Sequence, residues 1–75
     1  MDAEQIRQLI QAALPDADVR VYGDDGVHFE AEVVTPAFNG LRLLQRHRLV
    51  YAALGDLMGG AIHALALKTL TPEER

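Results

Sequence analysis

Histidine is the residue type in this chain that is best suited to bind a transition metal or to transfer protons near neutral pH. Three histidines are present, His28, His47 and His63, and the sequence contains no cysteine. Two imidazoles do not complete a tetrahedral metal site, and a chain without thiolates cannot hold an iron–sulfur cluster by its own cysteines. The histidines therefore indicate either a site shared with a partner or no metal site.

The three histidines occur in different sequence patterns. His47 lies within a helical run of apolar residues, so we expect it to be packed and hydrogen-bonded in the core. His28 falls on the polar side of a strand pattern near a turn, where an ordinary surface histidine is the simpler interpretation. His63 opens a later strand pattern in phase with Leu65 and Leu67. If these two strands are neighbours, His28 and His63 lie near one end of the sheet.

Motifs for catalysis are absent from the sequence. It contains no serine or cysteine, and neither the His-Glu-x-x-His motif nor the phosphate-binding Gly-x-x-x-x-Gly-Lys motif occurs. Glu30 and Glu32 are paired acids on one strand face, which is more typical of a solvated surface than of a general acid and base. Catalysis is therefore only weakly supported by the residues.

Apolar spacing predicts the elements that position these side chains. Residues 2–14 predict an amphipathic helix capped by its first residue, and two alternating stretches on either side of residues 23–26 predict a hairpin. Residues 41–58 predict a second helix that ends at the following glycine pair. Residues 61–70 predict a third strand, and residues 71–74 predict the start of a further helix.

The helix between the second and third strands allows those strands to run parallel through a right-handed crossover. We therefore predict a small α+β fold in which helices pack on one face of a three-stranded mixed sheet, in the order α-β-β-α-β-α. A chain of 75 residues has room for one hydrophobic core, so we treat residues 1–75 as a single domain.

The second helix carries both a predicted core side and a cluster of arginines. Its apolar side consists of Leu43, Leu44, His47, Val50, Tyr51, Leu54, Leu57 and Met58. Arg42, Arg46 and Arg48 fall largely outside that side, and Arg48 points away from the other two. A solvated helix surface is the simpler interpretation, because the whole chain has a net charge of −4 and acidic chains bind phosphate backbones poorly.

No pattern indicates secretion or membrane insertion. The N-terminal residues lack the basic and apolar segments of a signal peptide. No stretch approaches the about 18 uncharged apolar residues of a membrane-spanning helix. We expect a cytoplasmic protein without membrane contact, and the sequence leaves open whether free chains pair into a homodimer.

Several ordered motifs closely resemble the BolA family over essentially the whole chain. They are Phe38-Asn39-Gly40, LQRHRLVYAAL at residues 44–54 and IHALALKTLTPEE at residues 62–74. The hairpin sequence GDDGVHF at residues 23–29 looks like that of the IbaG-type branch of this family. The resemblance implies a BolA-like fold, related to the type II KH domain, and a non-enzymatic role.

The resemblance also implies a partner and a cofactor. Members of this family pair with monothiol glutaredoxins, and the pair holds a two-iron two-sulfur cluster with thiolates from the glutaredoxin and from glutathione. The histidine that a BolA-like chain supplies falls on His63. The second family ligand, a loop cysteine or histidine, falls near Asp24 or Asp25, where this sequence departs from the pattern. Either His28 takes that role, or His63 alone binds, or the complex forms without a loop histidine; an aspartate ligand suits such a cluster less well.

An alternative function also follows from the resemblance, since some family members are described as DNA-binding transcriptional regulators. In this chain that role would use Arg42, Arg46, Arg48 and Lys68, and DNA binding would weaken steeply as salt rises. The acidic net charge and the absence of a Gly-x-x-Gly loop between two helices count against it.

Overall fold

A computed structural model describes all residues from Met1 to Arg75. The helices and strands are α1 Ala3–Ala13, β1 Asp18–Tyr22, β2 His28–Val34, α2 Leu43–Leu54 and β3 Ala64–Leu70. Short 3-10 turns lie at Pro36–Phe38, Gly55–Leu57 and Pro72–Glu74. The predicted order of the first five elements, α-β-β-α-β, is confirmed. Neither α-helix has the length and apolar character that crossing a membrane requires.

The first helix begins with a capping box. The Asp2 carboxylate accepts the backbone N–H of Gln5 at 2.8 Å, and the Gln5 side chain accepts the backbone N–H of Asp2 at 2.9 Å. These two bonds satisfy donors that the start of a helix otherwise leaves unpaired. Ile6 and Ile10, four residues apart on one side of α1, are completely buried.

The sheet has the order β1-β2-β3, with β2 in the centre. β1 runs antiparallel to β2, and Tyr22 pairs with Glu30. β2 runs parallel to β3, and His28 pairs with Ala64. The mixed sheet therefore has the predicted form, with α2 in the connection between its two parallel strands.

Alternate residues of the central strand point into the core. Phe29, Ala31 and Val33 are at most 3% exposed, and they belong to one apolar cluster with buried residues from both helices. Because both helices contribute to this cluster, they cover the same face of the sheet. We call the opposite face the open face. Its members include His28, Glu30 and Glu32 of β2, Ala64, Ala66 and Lys68 of β3, and Arg20 and Tyr22 of β1.

Three predicted boundaries are wrong, for local reasons. Helix α2 ends at Leu54 rather than at residue 58, because Gly55 adopts a left-handed φ of 55° that interrupts the helix. Strand β3 begins three residues later than predicted, because the backbone of Ile62 bonds locally, to Leu57 at 2.8 Å and to Gly59 at 2.9 Å. The predicted start of a last helix is the 3-10 turn at Pro72–Glu74.

The buried side of α2 is narrower than predicted. Val50 and Leu54 are buried, but Leu43 and Leu44 are more than 60% exposed, and Tyr51 is 39% exposed. Phe38, in the turn before the helix, is completely buried and belongs to the apolar core cluster, whereas neither leucine does. Helical periodicity alone does not reveal that the core beside the start of α2 is formed by a residue from the preceding turn.

Two leucine substitutions on α2 test this packing. We expect Leu54→Ala to lower the free energy of unfolding by about 2 to 5 kcal/mol, because it leaves a cavity in the core. Leu44→Ala, the matched control on the same helix, should change it by about 0.5 kcal/mol or less, since that side chain is 61% exposed. Urea unfolding followed by circular dichroism measures both, and equal losses would contradict the observed packing of α2.

Candidate functional site: a histidine end of the sheet

The parallel register brings two histidines to the same end of the sheet. His28 is the first residue of β2 and pairs with Ala64, the first residue of β3. His63 directly precedes Ala64, so it lies beside the start of β2, and both histidines are exposed. This placement agrees with the expectation that followed from neighbouring strands. We call this region, His28 and His63 with the loop of residues 23–27, the histidine end.

Asp25 binds both the backbone and the ring of His28. Its Oδ1 accepts the backbone N–H groups of Val27 and His28, each at 2.8 Å, and its Oδ2 lies 2.8 Å from Nδ1 of the His28 ring. The hydrogen bond from the His28 ring, followed by the two backbone hydrogen bonds, holds the pKa of the Asp25 carboxyl well below its usual range. Asp25 is therefore an ionised acceptor near neutral pH.

Two glycines give the loop the shape that places Asp25. Gly26 has a φ of 76°, in the left-handed region that favours glycine. A Cβ atom at Gly23 would lie 2.6 Å from the carbonyl oxygen of His28 and 2.6 Å from Cδ1 of Phe29, closer than van der Waals contact allows. Only glycine lets this loop lie directly against the start of β2. Asp24 is exposed at the tip and forms no side-chain hydrogen bond.

His63 is held at the surface by its buried neighbour. Ile62 is completely buried, and its backbone N–H and C=O bond to the turn after α2. These contacts fix the chain immediately before His63, whose ring forms no hydrogen bond with the rest of the protein. The imidazole of His63 is thus exposed and available to an external group.

The chain alone does not surround a metal ion. No group of three or more histidine, aspartate and glutamate side chains is arranged to hold one. Two exposed imidazoles at one end of a sheet fit a site in which this chain donates nitrogen ligands and a partner donates the rest. The donor set also fits an iron–sulfur cluster with mixed thiolate and imidazole ligands.

His47 lies on α2, in the helix layer. Its ring is half-buried and packs edge-on against Tyr51, with 6.3 Å between the ring centroids. The expected packing is present. The prediction of a hydrogen bond is wrong for Nε2, because this atom is buried without a partner. His47 is not a member of the histidine end.

Arg46 is bound within the fold, which corrects its predicted exposure. Its side chain is only 13% exposed, and its guanidinium lies 5.8 Å from the centroid of the Phe38 ring. It donates hydrogen bonds to the backbone oxygens of Leu41 at 2.9 Å and Thr69 at 3.2 Å, and to the Glu74 carboxylate at 2.6 Å. These contacts leave little of the guanidinium for a phosphate group.

The remaining candidate cations do not form one basic surface. Arg42 and Arg48 are exposed on the helix layer, and Lys68 is exposed on β3, opposite Glu32 on the open face. The helix layer and the open face lie on opposite sides of the sheet. The four cations considered for nucleic-acid contact are therefore divided between two opposite surfaces, and one of them, Arg46, is largely covered by the fold.

Comparison with known proteins identifies the family. A family model described as BolA-like protein matches residues 6–74. This chain belongs to the BolA family. Human BolA-like protein 1 is 53% identical over 47 residues, a match that covers 63% of this chain and 34% of the human protein. This chain thus matches about a third of the length of that curated relative.

Solved BolA structures share the fold described above. A bolA protein homologue from Coxiella burnetii has a TM-score of 0.86 and 49% identity, covering 99% of this chain and 95% of that one. The BolA domain of SufE1 from Arabidopsis thaliana has a TM-score of 0.82 and 32% identity, covering 97% of this chain and 94% of that one. The small α+β fold with a mixed three-stranded sheet is therefore the BolA fold.

Two contacts of this BolA chain are not evident from its sequence. The Asp25–His28 contact has a weak local signal, an aspartate three residues before a histidine with a glycine between them. Aspartate in such a loop commonly accepts backbone N–H groups two and three residues later. The Arg46–Glu74 ion pair has no local signal, because its partners are 28 residues apart.

The Arg46–Glu74 pair makes the stability of the fold depend on pH. The hydrogen bond from Arg46, followed by that from the backbone N–H of Thr71, lowers the pKa of Glu74 from 4.5 to about 2. A carboxyl whose pKa is lower in the folded state stabilises the fold above its unfolded pKa, and this contribution is lost as pH falls through the folded value. We expect Glu74→Gln to destabilise the protein at pH 7, and the difference from wild type to shrink between pH 4.5 and about 2.

Urea unfolding at a series of pH values measures this effect. Glu73→Gln is the charge-matched control, because the Glu73 side chain forms no hydrogen bond or ion pair in the structure. At pH 7 it should lower the free energy of unfolding less than Glu74→Gln does. A destabilisation by Glu74→Gln that is equally large at pH 2 and pH 7 would show that the ion pair is not its source.

Proposed function

We propose that this BolA-family protein is a non-enzymatic adaptor that binds a monothiol glutaredoxin and contributes histidine to a shared two-iron two-sulfur cluster. The observation that carries the proposal is the histidine end: two exposed histidines lie at the same end of the sheet in a chain that has no cysteine. Thiolates from the glutaredoxin and from glutathione would complete the ligand set. The role belongs to cytoplasmic iron–sulfur trafficking or iron regulation.

Each histidine has a distinct part in this proposal. His63 is the principal ligand, since its ring is exposed and without a competing hydrogen bond, and its backbone is fixed by Ile62. His28 is the second ligand, across the parallel register from the residue that follows His63. When bound, a cluster with imidazole in place of thiolate has a higher reduction potential than one with four thiolates.

A relative supports the iron–sulfur context. SufE-like protein 1 of Arabidopsis thaliana, a chloroplastic or mitochondrial protein, is 45% identical over 53 residues, which cover 69% of this chain and 14% of that protein. A BolA domain therefore occurs joined to a SufE-like protein, which favours an iron–sulfur role for this chain over a role unrelated to metals.

DNA binding has weaker physical support. The exposed cations of the candidate set are divided between opposite sides of the sheet, and Arg46 is already bound to Glu74 and to backbone oxygens. The chain as a whole is acidic. The four candidate cations thus do not form the continuous positive surface with which a phosphate backbone is usually bound.

Anaerobic reconstitution tests the proposed function. A monothiol glutaredoxin, glutathione, iron and sulfide are combined, and visible absorption and circular dichroism are followed as the BolA protein is added. We expect a new spectrum that saturates at one BolA protein per glutaredoxin. His63→Ala should abolish or strongly alter that spectrum, and His28→Ala should have a smaller effect.

His47→Gln is the matched control, because it replaces a histidine that lies outside the histidine end. Its spectrum should equal that of the wild type, and circular dichroism in the far ultraviolet should show all variants folded. An unchanged spectrum with His63→Ala would contradict the ligand assignment. No spectral change on adding the wild-type protein would contradict the shared cluster and favour a salt-dependent DNA-binding assay as the next measurement.

A further inference from the structure

We infer that Asp25 is a positioning residue, which keeps the proton of the neutral His28 ring on Nδ1 and presents the lone pair of Nε2 to an incoming metal centre. The use of Nε2 as a metal ligand rests on the proposed function. The hydrogen bond between Asp25 and His28, and the tautomer that it favours, are properties of the free protein. The inference also assigns distinct roles within the loop: His28 supplies the ligand atom, and neither Asp24 nor Asp25 does.

The tautomer follows from what a carboxylate can do in a hydrogen bond. An ionised carboxylate only accepts, so the 2.8 Å contact between Asp25 Oδ2 and His28 Nδ1 requires the hydrogen to be on Nδ1. A neutral imidazole carries one proton, and Nε2 then has the free lone pair. Metal-bound histidines commonly have this arrangement, with the second ring nitrogen donating to a carboxylate or a carbonyl.

The carboxylate is itself held in place, so it can restrain the ring. Asp25 Oδ1 accepts two backbone N–H groups, and Gly23 and Gly26 give the loop the backbone shape that these bonds need. The side chain of His28 remains 74% exposed, which leaves the ring open to a partner. The ring is therefore restrained on its Nδ1 side and open elsewhere.

The same contacts argue against an aspartate ligand from this loop. Both oxygens of Asp25 already accept hydrogen bonds from the chain, and binding a metal would compete with these bonds. Asp24 has no contact that would hold it in a binding geometry. Carboxylate oxygen is also a harder ligand than imidazole, and it suits an iron–sulfur cluster less well.

Asp25→Asn separates a positioning role from a purely structural one. The asparagine side chain keeps an oxygen that accepts the two backbone N–H groups, so the loop should retain its shape. Its amide NH₂ replaces Oδ2 and donates to Nδ1, which moves the ring proton to Nε2. Asp24→Asn is the matched control, with the same change of charge at the neighbouring position.

The first measurement is long-range proton–nitrogen NMR of the His28 ring in the free protein, at a pH where the ring is neutral. We expect the Nδ1–H form in the wild type and in Asp24→Asn, and predominantly the Nε2–H form in Asp25→Asn. An Nε2–H ring in the wild type, or the same tautomer in wild type and Asp25→Asn, would overturn the inference without affecting the proposed function.

The second measurement is the glutaredoxin titration described above. We expect Asp25→Asn to weaken formation of the mixed complex by about 10- to 100-fold, as outer-shell substitutions at metal sites commonly do. His28→Ala should weaken it at least as much, and Asp24→Asn should behave as wild type. If Asp25→Asn and His28→Ala both leave the titration unchanged while His63→Ala abolishes it, the positioning role is overturned and the proposed function stands.

Discussion

The parallel pairing of β2 with β3 is the constraint on which the rest of this structure depends. It places β2 in the centre of the sheet, where its alternate residues, Phe29, Ala31 and Val33, form the middle of the core. The same register places the first residues of both strands at one end. A shift by one residue would turn the core side of β3 towards the open face, so packing and the position of His63 are determined together.

A folded chain of this size has a small free energy of unfolding, and no disulfide restrains this one. Its stability comes from one apolar cluster and from contacts that connect distant segments. Arg46 is the clearest example, because it joins α2 to β3 and to the C-terminal 3-10 turn while covering the Phe38 ring. A guanidinium suits this position because its planar group donates several hydrogen bonds at once and also packs on an aromatic face.

The histidine end combines a rigid backbone with exposed side chains. The start of β3 is fixed by the buried Ile62, and the start of β2 is fixed by a loop in which Gly23 allows close backbone contact. His28 borders only an open groove on the surface, and the chain provides no third metal ligand. Such a surface is suited to completing a site on another protein, where the remaining ligands and the enclosure come from the partner.

The sequence by itself determined the order of the helices and strands, the mixed sheet and the absence of any thiolate with which this chain could bind a metal. The order of the elements could be predicted because helices and strands have different apolar periodicities and glycines occur at the turns. The absence of thiolate follows directly from the composition. Only the tertiary structure decided which leucines of α2 are buried, that Arg46 lies inside the fold, and that Asp25 binds His28. Periodicity gives the direction of a side chain but not the neighbour that fills the space beside it. Phe38 is buried in the core while Leu43 and Leu44 are exposed, and Arg46 binds Glu74, 28 residues away, because these contacts form only when the sheet and the helix layer are assembled.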